Sequence, residues 1–250
     1  MTIAVFYECN VSLFSTSVPK YRAPEVDLND SRSGHTQLVR LVGKNKRVLE
    51  VGPAWGNVTK ALRSQGCEIT CIEQNEAMAA AAQEHCKRMV VGDIENDKLL
   101  KTFETKSFQV ITFGDVLEHL KDPVAVLRNI VPLLRDDGYV VASIPNVAHR
   151  SVIYALLLGE FPYFDEGLLD RTHLRFFTQS TLQIMFKDAG FRVTEIVRIT
   201  NDSFYVSTKP QYRNTFDRLK HKMLKAVLKA ACHSENLTYQ FVVRAIPERA

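Results

Sequence analysis

From residue 47 onward, short apolar blocks alternate with stretches in which apolar residues recur at helical spacing. Residues 47–51 (RVLEV), 68–72, 88–91, 108–113 and 138–144 are brief and rich in Val and Ile. Their near-continuous hydrophobicity is that of strands covered on both faces. Helical periodicity falls at 57–65, 75–86, 97–102 and 122–134. Asp122-Pro123 supplies a capping acid and a proline at the first helical position, and the turn RDDG, 135–138, ends that helix. A last helix over 179–189 stops at Gly190, and FRVTEIVRI and TYQFVVRAI add two further strands. Alternation of this kind predicts βαβ units, hence an α/β fold with a mostly parallel sheet of seven strands and helices on both faces.

Three segments lie outside that alternation. Residues 1–46 form a lead-in with a helix over 35–43, and 47–250 read as one domain. Within it, 146–177 interrupts the connection after the fifth strand, and 200–238 separates the final two strands. A connection of about 30 residues is long for an α/β unit and usually functional.

Composition changes this picture little. The chain has 250 residues, 46% hydrophobic and 24% charged, as one globular domain requires. Cys9, Cys67, Cys71, Cys86 and Cys232 are scattered and form no C-x-x-C pair. They read as reduced thiols of a cytoplasmic protein, with neither a disulfide frame nor a metal site. The start, MTIAVFYECNVSLF, is broken by Glu8 and Asn10 and lacks a basic leader, so no signal peptide is expected. No apolar run approaches the roughly 18 residues of a membrane span.

Charge is uneven. Between Lys209 and Lys229 seven Lys or Arg face one acid, Asp217, so the net +4 of the chain originates there. Phe216, Leu219, Met223, Val227 and Ala231 recur at helical spacing in the same stretch. Residues 209–231 are therefore expected to form a basic amphipathic helix that either packs on the domain or contacts an anionic membrane surface weakly. RNA contact is a third option, although no nucleic-acid module is visible; no DNA partner is expected.

The candidate chemistry begins at VLEVGPAWGNVTKAL, 48–62. Gly52 and Gly56 bracket a strand-to-helix turn where a ligand can approach bare backbone. A dinucleotide fingerprint G-x-G-x-x-G would need glycines where Ala54 and Asn57 stand, and no Gly-Lys-Ser/Thr of a P-loop follows. The carboxylate of Glu50 would repel a pyrophosphate but suits a cation. Glu73, with Gln74 beside it, ends the second strand 21 residues beyond Gly52, where an acid would hold a ribose. Gly92-Asp93-Ile94 ends the third strand, and Asp115 the fourth, followed by Glu118 and His119.

This E-x-G-x-x-x-G turn, with acids following in order, resembles motif I and the later motifs of the class I S-adenosylmethionine (SAM) dependent methyltransferases. The resemblance implies a Rossmann-like sheet with an antiparallel closing pair and SAM as cofactor. It implies that Glu50, Gly52 and Gly56 shape the methionine end, Glu73 holds the ribose, and Asp93 and Ile94 receive the adenine. Asp115 would lie on the donor-facing loop and the 35–43 helix over the donor, with His35 facing the pocket. Ala54 departs from the commoner middle glycine, but a small residue still permits close approach.

The acceptor side falls to 146–177. His149 and His173 are the side chains there able to take a proton near neutral pH, with Asp165 or Asp170 as base or orienting acid. Arg171 and Arg175 suit an anionic acceptor. Phe161, Tyr163, Phe164, Phe176 and Phe177 suit an apolar or sugar-stacking wall, or else core. PNVAHRS and DRTHLRFFT resemble methyltransferases of glycan and polysaccharide assembly. The expected activity is methylation of a hydroxyl on a sugar or another small metabolite. Phenol or quinol O-methylation is the alternative, and a non-catalytic scaffold with the same fold is a third.

Overall fold

The computed structural model describes residues 25–204 and 214–248. The apolar start, Cys9, Lys209 and Arg213 lie outside them. In chain order the elements are α1 (Gly34–Val42), β1 (Arg47–Val51), α2 (Asn57–Ser64), β2 (Glu68–Glu73), α3 (Glu76–Ala82) and β3 (Arg88–Val91). Next come α4 (Asp97–Leu100), β4 (Phe108–Gly114), α5 (Pro123–Asn129), β5 (Leu134–Pro145) and α6 (Arg150–Leu157). The chain closes with α7 (Gln179–Asp188), β6 (Phe191–Thr200), α8 (Thr215–Ala231) and β7 (Thr238–Pro247).

The strands form one sheet in the order β3-β2-β1-β4-β5-β7-β6. β1 to β5 pair in parallel, and β7 runs antiparallel to both of its neighbours. The closing pair is thus antiparallel, with β7 alone reversed and β6 at the edge. Alternation along β1 sends Leu49 and Val51 to one face, against Leu127 of α5 and Leu182 and Phe186 of α7. Val48 meets Leu38, Val39 and Val42 of α1 and Leu62 of α2 on the other. Truncating a side chain as buried as Leu49 or Phe186 to Ala would cost about 2–5 kcal/mol, because the packed interior cannot refill the void. Strand order reverses between β1 and β4, and the crevice at their carboxyl ends is where such a sheet binds ligands.

The helix expected over 122–134 begins as predicted: Asp122 Oδ1 accepts from Ala125 N at 2.9 Å. It ends at Asn129, because Pro132 has no N–H to continue it and sits instead in a 3-10 turn, Val131–Leu133. RDDG is not a free turn. β5 starts at Leu134, and the register against β4 slips between Phe108 and Val110, which accommodates the extra residues as a bulge. α3 likewise gives way at Ala82 to a 3-10 turn, Gln83–His85.

Candidate active site

A cavity of about 560 Å³ opens at the switch point. β1, β2 and β3 deliver Glu50, Gly52, Glu73, Gln74, Asp93 and Ile94 to it, and β4 delivers Asp115 and the Glu118–His119 turn. The insertion after β5 supplies Asp170, Thr172 and His173. Chain segments more than 100 residues apart thus share one lining.

The turn after β1 is held by its own neighbours. Gly52 has φ 69°, and a Cβ there would stand 2.6 Å from Val116 Cγ2. Glu73 is buried and ties two turns together: Oε2 accepts from Ala54 N at 3.1 Å and Oε1 from Asn75 N at 2.9 Å. Gly56 has a different job. Its φ of 81° starts α2, and a Cβ would lie 2.9 Å from the Ala82 Cα of α3. Gly56 does not line the cavity, so its expected place at the ligand is corrected: it lets two helices approach.

Glu50 is 3% exposed, and Cys71 Sγ lies 3.9 Å from its Oε2. Burial raises its carboxyl to about 7, against the smaller opposing effects of Thr59 and Cys71. A buried acid with no cation beside it among the described residues fits a positively charged ligand. Trp55 lines the same end with a buried indole N–H that has no hydrogen-bond partner. Asp93 accepts from Glu95 N at 2.9 Å and does not cap α4; Asn96 does.

Asp115 takes a positive φ, 54°, and its amide donates to the Ser143 hydroxyl at 3.0 Å. Its side chain accepts from Gln240 Nε2 at 2.5 Å and lies 3.8 Å from His35 Nε2. β7 and α1 therefore reach the site, as foreseen for His35 but not for Gln240 or the adjacent Tyr239. Only the reversal of β7 beside β5 brings those two there, and no local motif marks them.

Glu118 is the most unusual group. It is 1% exposed, and both carboxylate oxygens lack a hydrogen-bond partner. Burial, and then repulsion from Asp115, holds its carboxyl well above the ordinary range. His173 Nε2 stands 4.0 Å from Oε1, with the His173 side chain 5% exposed. Burial, reinforced by His119, depresses the His173 imidazole. The two imidazoles meet edge to face at 4.8 Å. The insertion is pinned here because Leu174 N and Arg175 N both donate to the Glu118 carbonyl, at 2.9 and 3.0 Å. Asp170 accepts from the Thr172 hydroxyl at 2.6 Å, and that hydroxyl lies 3.1 Å from His119 Nδ1. Glu118, His119 and His173 place ligand atoms within 4.8 Å of one another, a grouping able to hold a divalent cation.

Other candidates go elsewhere. His149 is fully buried as the N-cap of α6, with Nδ1 2.7 Å from Ser151 Oγ and Nε2 2.8 Å from the Asn201 carbonyl. Both ring nitrogens are engaged away from the cavity, so the expectation of a base at His149 is corrected to a structural role. Arg171 pairs with Asp165 at 2.9 Å, and Arg175 donates to the Lys121 carbonyl. None of the five aromatics lines the cavity: Phe177 is core, Phe164 packs on Leu168 and Leu169, and Phe161, Tyr163 and Phe176 form an outer ladder of rings. That ladder touches His173 through Phe176, at 6.1 Å.

A sheet of this order, with a carboxylate-floored turn at its switch point, is that of the class I SAM-dependent methyltransferases. Residues 31–196 match the family model of the methyltransferase domain, and the chain belongs to that family as a SAM-dependent methyltransferase. The ubiquinone biosynthesis O-methyltransferase of Stutzerimonas stutzeri is 29% identical over 164 residues, 62% of this chain and 68% of that protein. Its counterpart in Pseudomonas syringae pv. tomato is 30% identical over 162 residues, again 62% and 68%. A SAM-dependent methyltransferase from Archaeoglobus fulgidus shares the fold with a TM-score of 0.59, at 18% identity over 84% of this chain and 91% of its own.

Proposed function

We propose that this methyltransferase acts on a hydroxyl group, that His173 takes the acceptor proton, and that a phenolic ring is the favoured acceptor. The carrying observation is the pairing of His173 with the unpartnered, buried Glu118 in the cavity. SAM, when bound, supplies an electrophilic methyl group; Glu50, Gly52, Glu73, Gln74, Asp93, Ile94 and Asp115 would hold it. The protein must then align the nucleophile and remove its proton.

A depressed imidazole is neutral near pH 7 and free to accept a proton. Imidazolium formed 4.0 Å from Glu118 would lower that carboxyl's hold on its own proton. Such a base suits a phenol, with a pKa near ~10, far better than an alcohol, which resembles water at about 16. The relatives named for ubiquinone biosynthesis O-methylation favour the same class. A sugar hydroxyl is the second reading. It is supported by hydrogen-bonding groups on Asp170, Thr172 and Gln240 along the cavity and by the DRTHLRFFT likeness to glycan methyltransferases.

Incubation with methyl-labelled SAM and panels of catechols, quinols and sugars tests the proposal. Label should enter a phenolic oxygen. Label confined to sugars would replace the favoured acceptor with the second, and label in neither class would end the hydroxyl reading.

A further inference from the structure

α8 carries two apolar stripes, and among the described residues only one packs against the fold. Leu228 and His221 are buried against Tyr154 and Phe204, and the Tyr154 hydroxyl bonds to His221 Nδ1. Asp217, the one acid of the helix, lies 3.4 Å from His221 Nε2, at the edge of this inner stripe. The second stripe faces outward: Phe216 is 77% exposed, Leu219 52%, Met223 62% and Val227 60%. These positions recur every three or four residues, so they form one row along a helix about 26 Å long. Arg218, Lys220 and Lys222 are exposed on the same helix, whereas Lys225 is half-buried over the Tyr154 ring and Lys229 reaches over the Phe204 ring of the inner cluster.

We propose that the outer face of α8 docks on an anionic lipid surface. A row of large apolar side chains bordered by cations is the composition of a helix that lies in the headgroup layer. The same cations would face one another if two copies met through this row, which disfavours self-association. Phosphate contacts of a nucleic acid would use the lysines but leave Phe216 and Met223 in water. None of the described helices is long and apolar enough to cross a membrane.

The test is co-sedimentation of the full chain with vesicles of phosphatidylcholine, alone or mixed with phosphatidylglycerol. Binding should require phosphatidylglycerol. It should weaken as salt rises from about 0.1 to about 1 M, where screening shortens from about 10 to about 3 Å. Lys222→Gln should lower partitioning roughly fivefold, and Phe216→Ser with Met223→Ser should remove most of it. All three positions are exposed, so circular dichroism and SAM affinity should not change. Equal binding to neutral vesicles, or binding indifferent to the Phe216/Met223 pair, would overturn the proposal. So would a dimer in sedimentation that the pair disperses, or a single-stranded RNA oligonucleotide that displaces the vesicles and ignores the pair.

Discussion

The carboxylate of Glu118 lies 4.0 Å from Nε2 of His173, and both side chains are almost fully withdrawn from solvent. One belongs to the turn after β4 and the other to the insertion after β5, which the Glu118 carbonyl anchors through the Leu174 and Arg175 amides.

His173→Ala should reduce turnover about 10²- to 10⁴-fold, the usual range for loss of a positioned base, while SAM affinity stays within a factor of a few. In the wild type, turnover should rise with pH through an imidazole pKa below the ordinary 6.5, because burial disfavours the charged form. Glu118→Gln should displace that limb. Steady-state kinetics across pH checks both, and an unmoved limb in Glu118→Gln would break the coupling.

Glu50 makes the ligand-free protein sensitive to pH in a defined direction. Its folded carboxyl titrates at about 7 against an ordinary 4.5, so the folded state holds the extra proton between those values. Stability should therefore fall as pH rises from about 4.5 to about 7, by up to about 3 kcal/mol from this group, and level off above. Glu50→Gln should flatten the curve and raise the apo melting temperature at pH 8 while impairing SAM binding. Wild-type SAM affinity should instead increase with pH through 7, since the cation needs the ionised acid. Thermal melts and calorimetry between pH 5 and pH 8 decide it.

Glu73→Ala removes the acceptor of two backbone N–H groups, Ala54 and Asn75. Bonds to a charged acceptor contribute about 1.5–3 kcal/mol each. Loss of the turn geometry should weaken SAM at least about tenfold in calorimetric titration. Unchanged affinity would rule out Glu73 as a residue that holds SAM.

Gly56 and Gly190 share φ 81° but not surroundings: a Cβ at Gly56 meets the Ala82 backbone, and nothing lies within 4 Å at Gly190. Gly190→Ala should cost about 1–2 kcal/mol for left-handed backbone alone. Gly56→Ala should cost distinctly more, because helix backbone cannot swing aside. Urea unfolding of both variants gives the comparison; equal losses would refute a packing role for Gly56.

Much of this protein is local in origin. Apolar periodicity placed the seven strands because a two-residue or 3.6-residue repeat depends only on neighbours along the chain. The Gly52 turn was readable for the same reason, since positive φ is a property of one residue. Where a local rule conflicted with another, as at Pro132, the helix boundary moved by a few residues and the order of elements did not.

The insertion side of the cavity was not local. A linear reading keeps both His173 and His149 as bases, His173 ahead; folding buries His149 as a helix cap with both nitrogens engaged and turns His173 toward Glu118. Gln240 bears no motif, yet the reversed β7 delivers it to Asp115. The chain alone thus determined the fold class and the Gly52 turn at the switch point, whose geometry follows from backbone conformation and one strand-end acid. Which side chains of the insertion meet Glu118 in the cavity was decided by tertiary packing. Burial and distance there depend on contacts between segments far apart in sequence.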